Sequence, residues 1–166
     1  GSAIEHENQT TETSAALGAT PDSITILETP QSVNFNFRTG VAADTLVFGG
    51  IRWVNWSDFA ITPRDYKLIT KNSILSYEND VNTFSLGVAR RLDPSLVMSF
   101  SIGYEASGGG LASNLGPTDG RTGLTLGLRY ETGNTVISGG LNYTMAGDAK
   151  TNALIGTSNF EDNDAI

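Results

Sequence analysis

Apolar and polar residues alternate with a period of two in six segments of the chain, and this places each set on one face of a strand. Ser32–Val41 sets Val33, Phe35 and Phe37 against Asn34, Asn36 and Arg38. Thr45–Ile61 carries Val47, Gly49, Ile51 and Trp53 on one face, with Arg52 and Trp56 on the other. Asn82–Leu92 sets Phe84, Leu86 and Val88 against Ser85, Gly87 and Ala89. In Leu96–Tyr104, Met98, Phe100 and Ile102 oppose Ser99, Ser101 and Gly103. Gly123–Tyr130 sets Leu124, Leu126 and Leu128 against Thr125, Gly127 and Arg129, and Val136–Met145 sets Ile137, Leu141 and Tyr143 against Ser138, Gly140 and Asn142. Short turns at Ala42–Asp44, Asp93–Ser95 and Glu131–Asn134 alternate with long connections at Ile61–Tyr77, Glu105–Gly120 and Ala146–Phe160.

Strands of about 9–11 residues, with short turns at one end and long loops at the other, predict an all-β, antiparallel transmembrane β-barrel wall. Strands of a soluble sandwich are usually about five or six residues long. The bulky set is uniformly large, whereas the opposite set is small or polar with isolated arginines. Trp53, Trp56, Phe59, Tyr104, Tyr130 and Tyr143 fall near strand ends, where interfacial girdles lie. Both features favour apolar side chains outside and polar ones inside. Trp53 and Trp56 differ in parity, so one long strand would point them to opposite faces.

Six to seven such strands are fewer than the eight of the smallest single-chain bacterial barrels, so the wall is expected to be an incomplete part of a barrel. Residues 1–28 form a polar lead-in or loop: Gly1–Thr20 has no periodicity, and Ser23–Leu27 is a candidate short strand. Residues 29–166 form the wall. The acidic Glu161–Asp164 stretch comes where another descending strand is due. The chain opens Gly1-Ser2-Ala3 with neither methionine nor a leader, as expected if a leader has been removed or the chain is a piece of something longer.

Composition narrows the chemistry. A hydrophobic content of 39% with 19 glycines suits a wall whose alternate residues face water. A net charge of −8 argues against a nucleic-acid partner, which needs clustered Lys and Arg. There is no cysteine, so neither a disulfide framework nor a thiolate metal site is available. No run of about 18 apolar residues is present, which excludes a membrane helix but not barrel strands.

Two runs carry a resemblance. Thr29–Gly40 and Asp44–Phe59 are similar to the FadL-type family of outer-membrane transporters for long-chain fatty acids and hydrocarbons, and the Arg52–Phe59 run is the most specific piece. Thr83–Arg90, Gly103-Tyr104 and Pro117–Arg121 continue the likeness in order, over roughly 29–164. The resemblance implies the C-terminal portion of a fourteen-stranded barrel in the outer membrane of a Gram-negative bacterium. Its partners would be a hydrophobic small molecule such as a long-chain fatty acid, the outer-membrane lipid and the remainder of the barrel. It implies long loops outside the cell, short periplasmic turns, passive transport and no cofactor. A family member is plugged by an N-terminal hatch and releases ligand sideways beside a kinked strand. No counterpart of either is visible in this sequence, so no ligand residue is carried over.

Candidate sites are few. His6 sits between Glu5 and Glu7 with no converging ligands. Glu161–Asp164 offers oxygen ligands for a hard cation but lacks a glycine-centred calcium loop. Gly108–Gly110 has no following Gly-Lys-Ser/Thr, and Ser57-Asp58 has no histidine partner nearby, so neither a phosphate cradle nor nucleophilic catalysis is expected. Arg38, Arg52 and Arg129 on the polar face are the candidate ligand-binding residues, through charge-assisted hydrogen bonds to a carboxylate; pairing or hydration within the lumen is the plainer role. The alternative to a transporter wall is a soluble or surface β-barrel binding or adhesion module acting through its long loops.

Overall fold

The structure is a computed structural model, and it describes residues 1–109, 111–112, 118–153 and 156–165. Seven strands form one antiparallel meander in which each strand pairs with the strands before and after it. They are β3 (Ser32–Ala42), β4 (Thr45–Val54), β5 (Val81–Asp93), β6 (Leu96–Glu105), β7 (Arg121–Thr132), β8 (Thr135–Ala146) and the short β9 (Asn163–Ala165). A separate hairpin, β1 (Ile4–Thr10) against β2 (Ser23–Thr29), precedes the wall. Its ladder runs on to the edge of β3, where Gly1 and Ser32 exchange backbone hydrogen bonds of 2.6 and 2.9 Å.

The alternation fixes register because a slip of one residue would turn every phenylalanine and leucine to the other face. Val88, Phe100, Leu126 and Leu141 lie abreast on four neighbouring strands, and Leu86, Ile102, Leu124 and Tyr143 form the next row. The other face carries an equally regular polar row: Asn34, Arg52, Thr83, Glu105 and Arg121. Each short turn has a local cause. Asp44 and Gly133 adopt the left-handed backbone that closes a tight turn, at φ 58° and 54°. Asp93 Oδ1 accepts the Ser95 N–H at 2.7 Å, an Asx turn that Pro94 stiffens.

Almost nothing in this sheet is buried. Among the described residues the only buried hydrophobic side chains are Val54 and Ala149. Most side chains of the two apolar rows are instead exposed, Leu141 to 68% and Leu86 to 54%. The accessible surface is 11277 Å², against about 7,900 Å² for a compact monomer of this mass.

Four segments depart from the sequence reading. Gly1–Thr20 is not without structure: Ile4–Thr10 is a strand, exposed along most of its length, with Ile4 its only large apolar residue and hence no period to detect. The Thr45–Ile61 strand stops at Val54, because Asp80 accepts both the Ser57 N–H (3.2 Å) and the Trp53 indole N–H (3.0 Å) and the chain turns into a 3₁₀ segment at Trp56–Asp58. Trp56 therefore does not occupy the opposite face of a strand from Trp53. The Ile61–Tyr77 connection contains a helix, α1 (Arg64–Thr70). Short strands at Ala149–Ala153 and Gly156–Phe160 pair within the last long connection.

Candidate functional site

The polar face is concave. Six strands, β3 to β8, contribute to one open cavity of about 660 Å³, which a flat sheet could not enclose. Its apolar floor is Leu46, Phe48 and Val97, flanked by Ser99, Gly127 and Ser138. Phe48 lies over Gly87: a side chain at that position would meet the Phe48 ring and, at 2.8 Å, Ser101 Cβ. The glycine makes room for an aromatic ring that points into the cavity.

The three arginines do not form one cluster. Arg38 and Arg129 both line this cavity, from β3 and β7. Arg129 is paired with Glu131, whereas Arg38 has no side-chain hydrogen bond or ion pair among the described residues. Arg52 lies nearer the long loops, outside the cavity, where its Nη1 donates to Asn34 Oδ1 at 3.1 Å. It belongs to the polar row, in which Glu105 Oε2 accepts from Arg121 at 3.1 Å and from Thr83 at 3.4 Å. Strand alternation gave the face of all three, but only the register gives their heights.

Two aspartates hold the long-loop rim. Asp80 accepts from the Ser57 hydroxyl at 2.7 Å as well as from the Ser57 amide and Trp53. The Ser57 hydroxyl, outweighing desolvation, holds this carboxyl below its ordinary pKa with help from the other two donors. Asp119 accepts from Ser107 Oγ (2.6 Å) and from the Gly108 and Gly109 amides (2.7 and 2.8 Å). Burial pushes against its charge, yet these donors together keep the carboxyl below the usual range. Trp56, Phe59 and Tyr77 pack beside this rim, with ring centroids 5.0 Å apart for Trp56–Tyr77 and 5.4 Å for Trp56–Phe59.

The remaining candidates lie outside this cavity. Ser57 and Asp58 sit in a local network, Asn55 Nδ2 donating to Asp58 at 2.5 Å and Ser57 Oγ to Asn55 at 3.1 Å. His6 stands opposite Leu27 on the exposed hairpin. From the Glu161–Asp164 stretch, Asp164 accepts the Tyr143 hydroxyl at 2.6 Å, and no metal-holding group of three His, Cys, Asp or Glu occurs among the described residues. Gly108 and Gly109 belong to the Asp119 staple, and Gly110 lies outside the described residues.

No family profile and no curated sequence matches the chain. Its fold does match solved structures. A FadL homologue from Pseudomonas aeruginosa superposes with a TM-score of 0.61 at 13% identity, over 83% of this chain and 34% of that one. The CymD monoaromatic hydrocarbon channel gives a TM-score of 0.51 at 22% identity, over 87% and 39%. The chain thus spans between a third and two-fifths of these structures. The likeness covers the seven-stranded wall, which was expected from the strand pattern and from the FadL-type resemblance. The fold of this chain is that of an antiparallel wall from a FadL-type β-barrel, open at both edges.

Proposed function

We propose that the chain is part of an outer-membrane β-barrel that passes hydrophobic small molecules, long-chain fatty acids or related compounds, by passive transport without covalent chemistry. The observation that carries this reading is the field of large apolar side chains on the convex face. Val33, Phe35, Ile51, Phe84, Leu86, Phe100, Ile102, Leu126, Leu128 and Leu141 are all exposed, in register, on neighbouring strands. In water so large a contiguous patch would drive association, whereas against lipid tails it costs nothing. Trp53, Tyr104 and Tyr143 towards one end of this field and Tyr130 at the other fit interfacial girdles. The concave face, polar with an apolar floor, is the surface along which a ligand would travel, and Arg38 is the arginine best placed to meet a ligand carboxylate. The partners on this reading are outer-membrane lipid, the remainder of the barrel and the transported molecule.

The test is detergent dependence. Circular dichroism and light scattering should show aggregation in plain buffer, and β-structure in a monodisperse particle once detergent is added. A chain that is monodisperse and β-folded in buffer alone would overturn this reading and make a soluble loop-binding module the better one.

A further inference from the structure

One cation interrupts the apolar convex face. On the six long wall strands, Arg38, Arg52, Arg91, Glu105, Arg121, Arg129 and Glu131 all fall on the concave side of the register, and no lysine lies on any of these strands. Asp93 pairs with Leu96 at the turn, where its Oδ1 accepts the Ser95 amide at 2.7 Å. Arg90 has the parity of Phe84, Leu86 and Val88 and shares their convex face. Its cross-strand neighbours are Thr45 on β4 and Met98 on β6, with Leu128 next in the row on β7. Arg90 is exposed, and it makes no ion pair or side-chain hydrogen bond among the described residues. Its neighbour Arg91, on the other face, lies 3.9 Å from Asp44.

The height of Arg90 explains how an unpaired guanidinium is tolerated there. A charge facing lipid is heavily penalised at the midplane and nearly costless at the interface. Arg90 lies opposite Thr45, the first residue of β4, and opposite Met98, two residues from the start of β6. Two tilted residues climb only about 5 Å, so a long side chain reaches the headgroups by snorkelling towards the short-turn end. Tyr130, opposite Leu96 on the same face, sets the aromatic belt at this level. The anion that every glycerophospholipid presents at that depth is its phosphate, and the planar fork of a guanidinium matches two phosphate oxygens. We propose that Arg90 binds the phosphate of a glycerophospholipid in the leaflet on the short-turn side and so pins the depth of the wall in the bilayer. The proposal rests on the membrane-wall reading above and assigns that wall a specific lipid contact.

The test uses the chain with ¹⁵N-labelled arginine side chains in phosphatidylglycerol nanodiscs. Solid-state NMR recoupling of ¹⁵N to ³¹P should show a short arginine-to-phosphorus contact. Arg90→Gln should remove that contact, and Arg91→Gln, altered on the concave face, should keep it. In maltoside micelles titrated with phosphatidylglycerol and followed by native mass spectrometry, Arg90→Gln should weaken the first bound lipid about fivefold, whereas Arg90→Lys should retain most of the affinity. Diacylglycerol, which lacks the phosphate, should bind the wild-type chain and Arg90→Gln equally, and soluble glycerol phosphate should not displace the lipid. An NMR contact or an affinity unchanged in Arg90→Gln overturns the lipid site, as does a diacylglycerol affinity that falls with the same variant. Displacement by glycerol phosphate would make it a site for free anions and overturns it too. In each of these cases a chain inserted in the bilayer keeps the wall reading intact; a chain that does not insert overturns both.

Discussion

An arginine scan along one strand measures whether the convex face meets lipid. With about 3.4 Å of rise per residue and a tilt of about 40°, a barrel strand climbs about 2.6 Å per residue. The stretch from Leu96 to Tyr104 on β6 then spans about 21 Å, close to the apolar band of about 25 Å that such walls present. Phe100 is midway, abreast of Val88 and Leu126, on the convex face. Phe100→Arg should therefore cost about 2–4 kcal/mol, and Tyr104→Arg, at the band's edge, about 0–1 kcal/mol. Gly103→Arg is the control: it lies on the concave face of the same strand with no atom within 4 Å of a new Cβ. Its effect should stay within about 1 kcal/mol. Urea titration of the chain folded into lysophospholipid micelles, read by the fluorescence of Trp53 and Trp56, gives the three values. For Phe100→Arg the folding equilibrium should fall about 30-fold to several hundred-fold. Equal costs at Phe100 and Gly103, or a cost at Phe100 below that at Tyr104, would refute the assignment of faces.

Asp119 gives the loop between Ser107 and Gly109 a pH dependence. Its folded pKa lies below the ordinary 3.8, so its stabilising effect is complete above that value and is lost as pH falls through the lower folded one. Protection factors of the Gly108 and Gly109 amides, corrected for intrinsic exchange, should drop at low pH, and Asp119→Asn should show the drop already at neutral pH; unchanged protection in that variant would sink the staple. Gly87→Ala should cost about 1–3 kcal/mol by displacing the Phe48 ring. Phe48→Ala in the same chain should recover much of it in a double-mutant cycle, and a coupling near zero would show that the ring does not need the glycine.

β9, three residues with no bulky side chain, was not legible, but the six longer wall strands were, because each has one bulky face and a period of two survives even where both faces are exposed. Their ends moved by no more than two residues, β4 excepted. That strand looked longer because Trp53, Trp56 and Phe59 suggested a continuing apolar run. What ends it is Asp80, 26 residues beyond Val54, and no local pattern contains it. β1 escaped notice because Ile4–Thr10 pairs on one edge only and holds a single large apolar residue. Helix α1 escaped because seven residues are barely two turns, and its N-terminal amides are satisfied by Glu12 from another segment. For the arginines, parity sufficed to place Arg38, Arg52 and Arg129 on one face. Bringing Arg38 and Arg129 into one cavity while leaving Arg52 above it depends on the registers of four successive pairings, which side-chain patterning does not encode.

The sheet's two open edges have a handedness of their own. Seven strands in alternation put β3 and β9 in the same direction, so the first and last edges of the wall both point the same way. Two copies set edge to edge would meet at two parallel seams. Antiparallel pairing throughout requires an odd number of further strands between those edges. A complement that closed this wall with antiparallel pairing alone would therefore differ from it, with one more strand rising than falling if this wall has one more falling than rising.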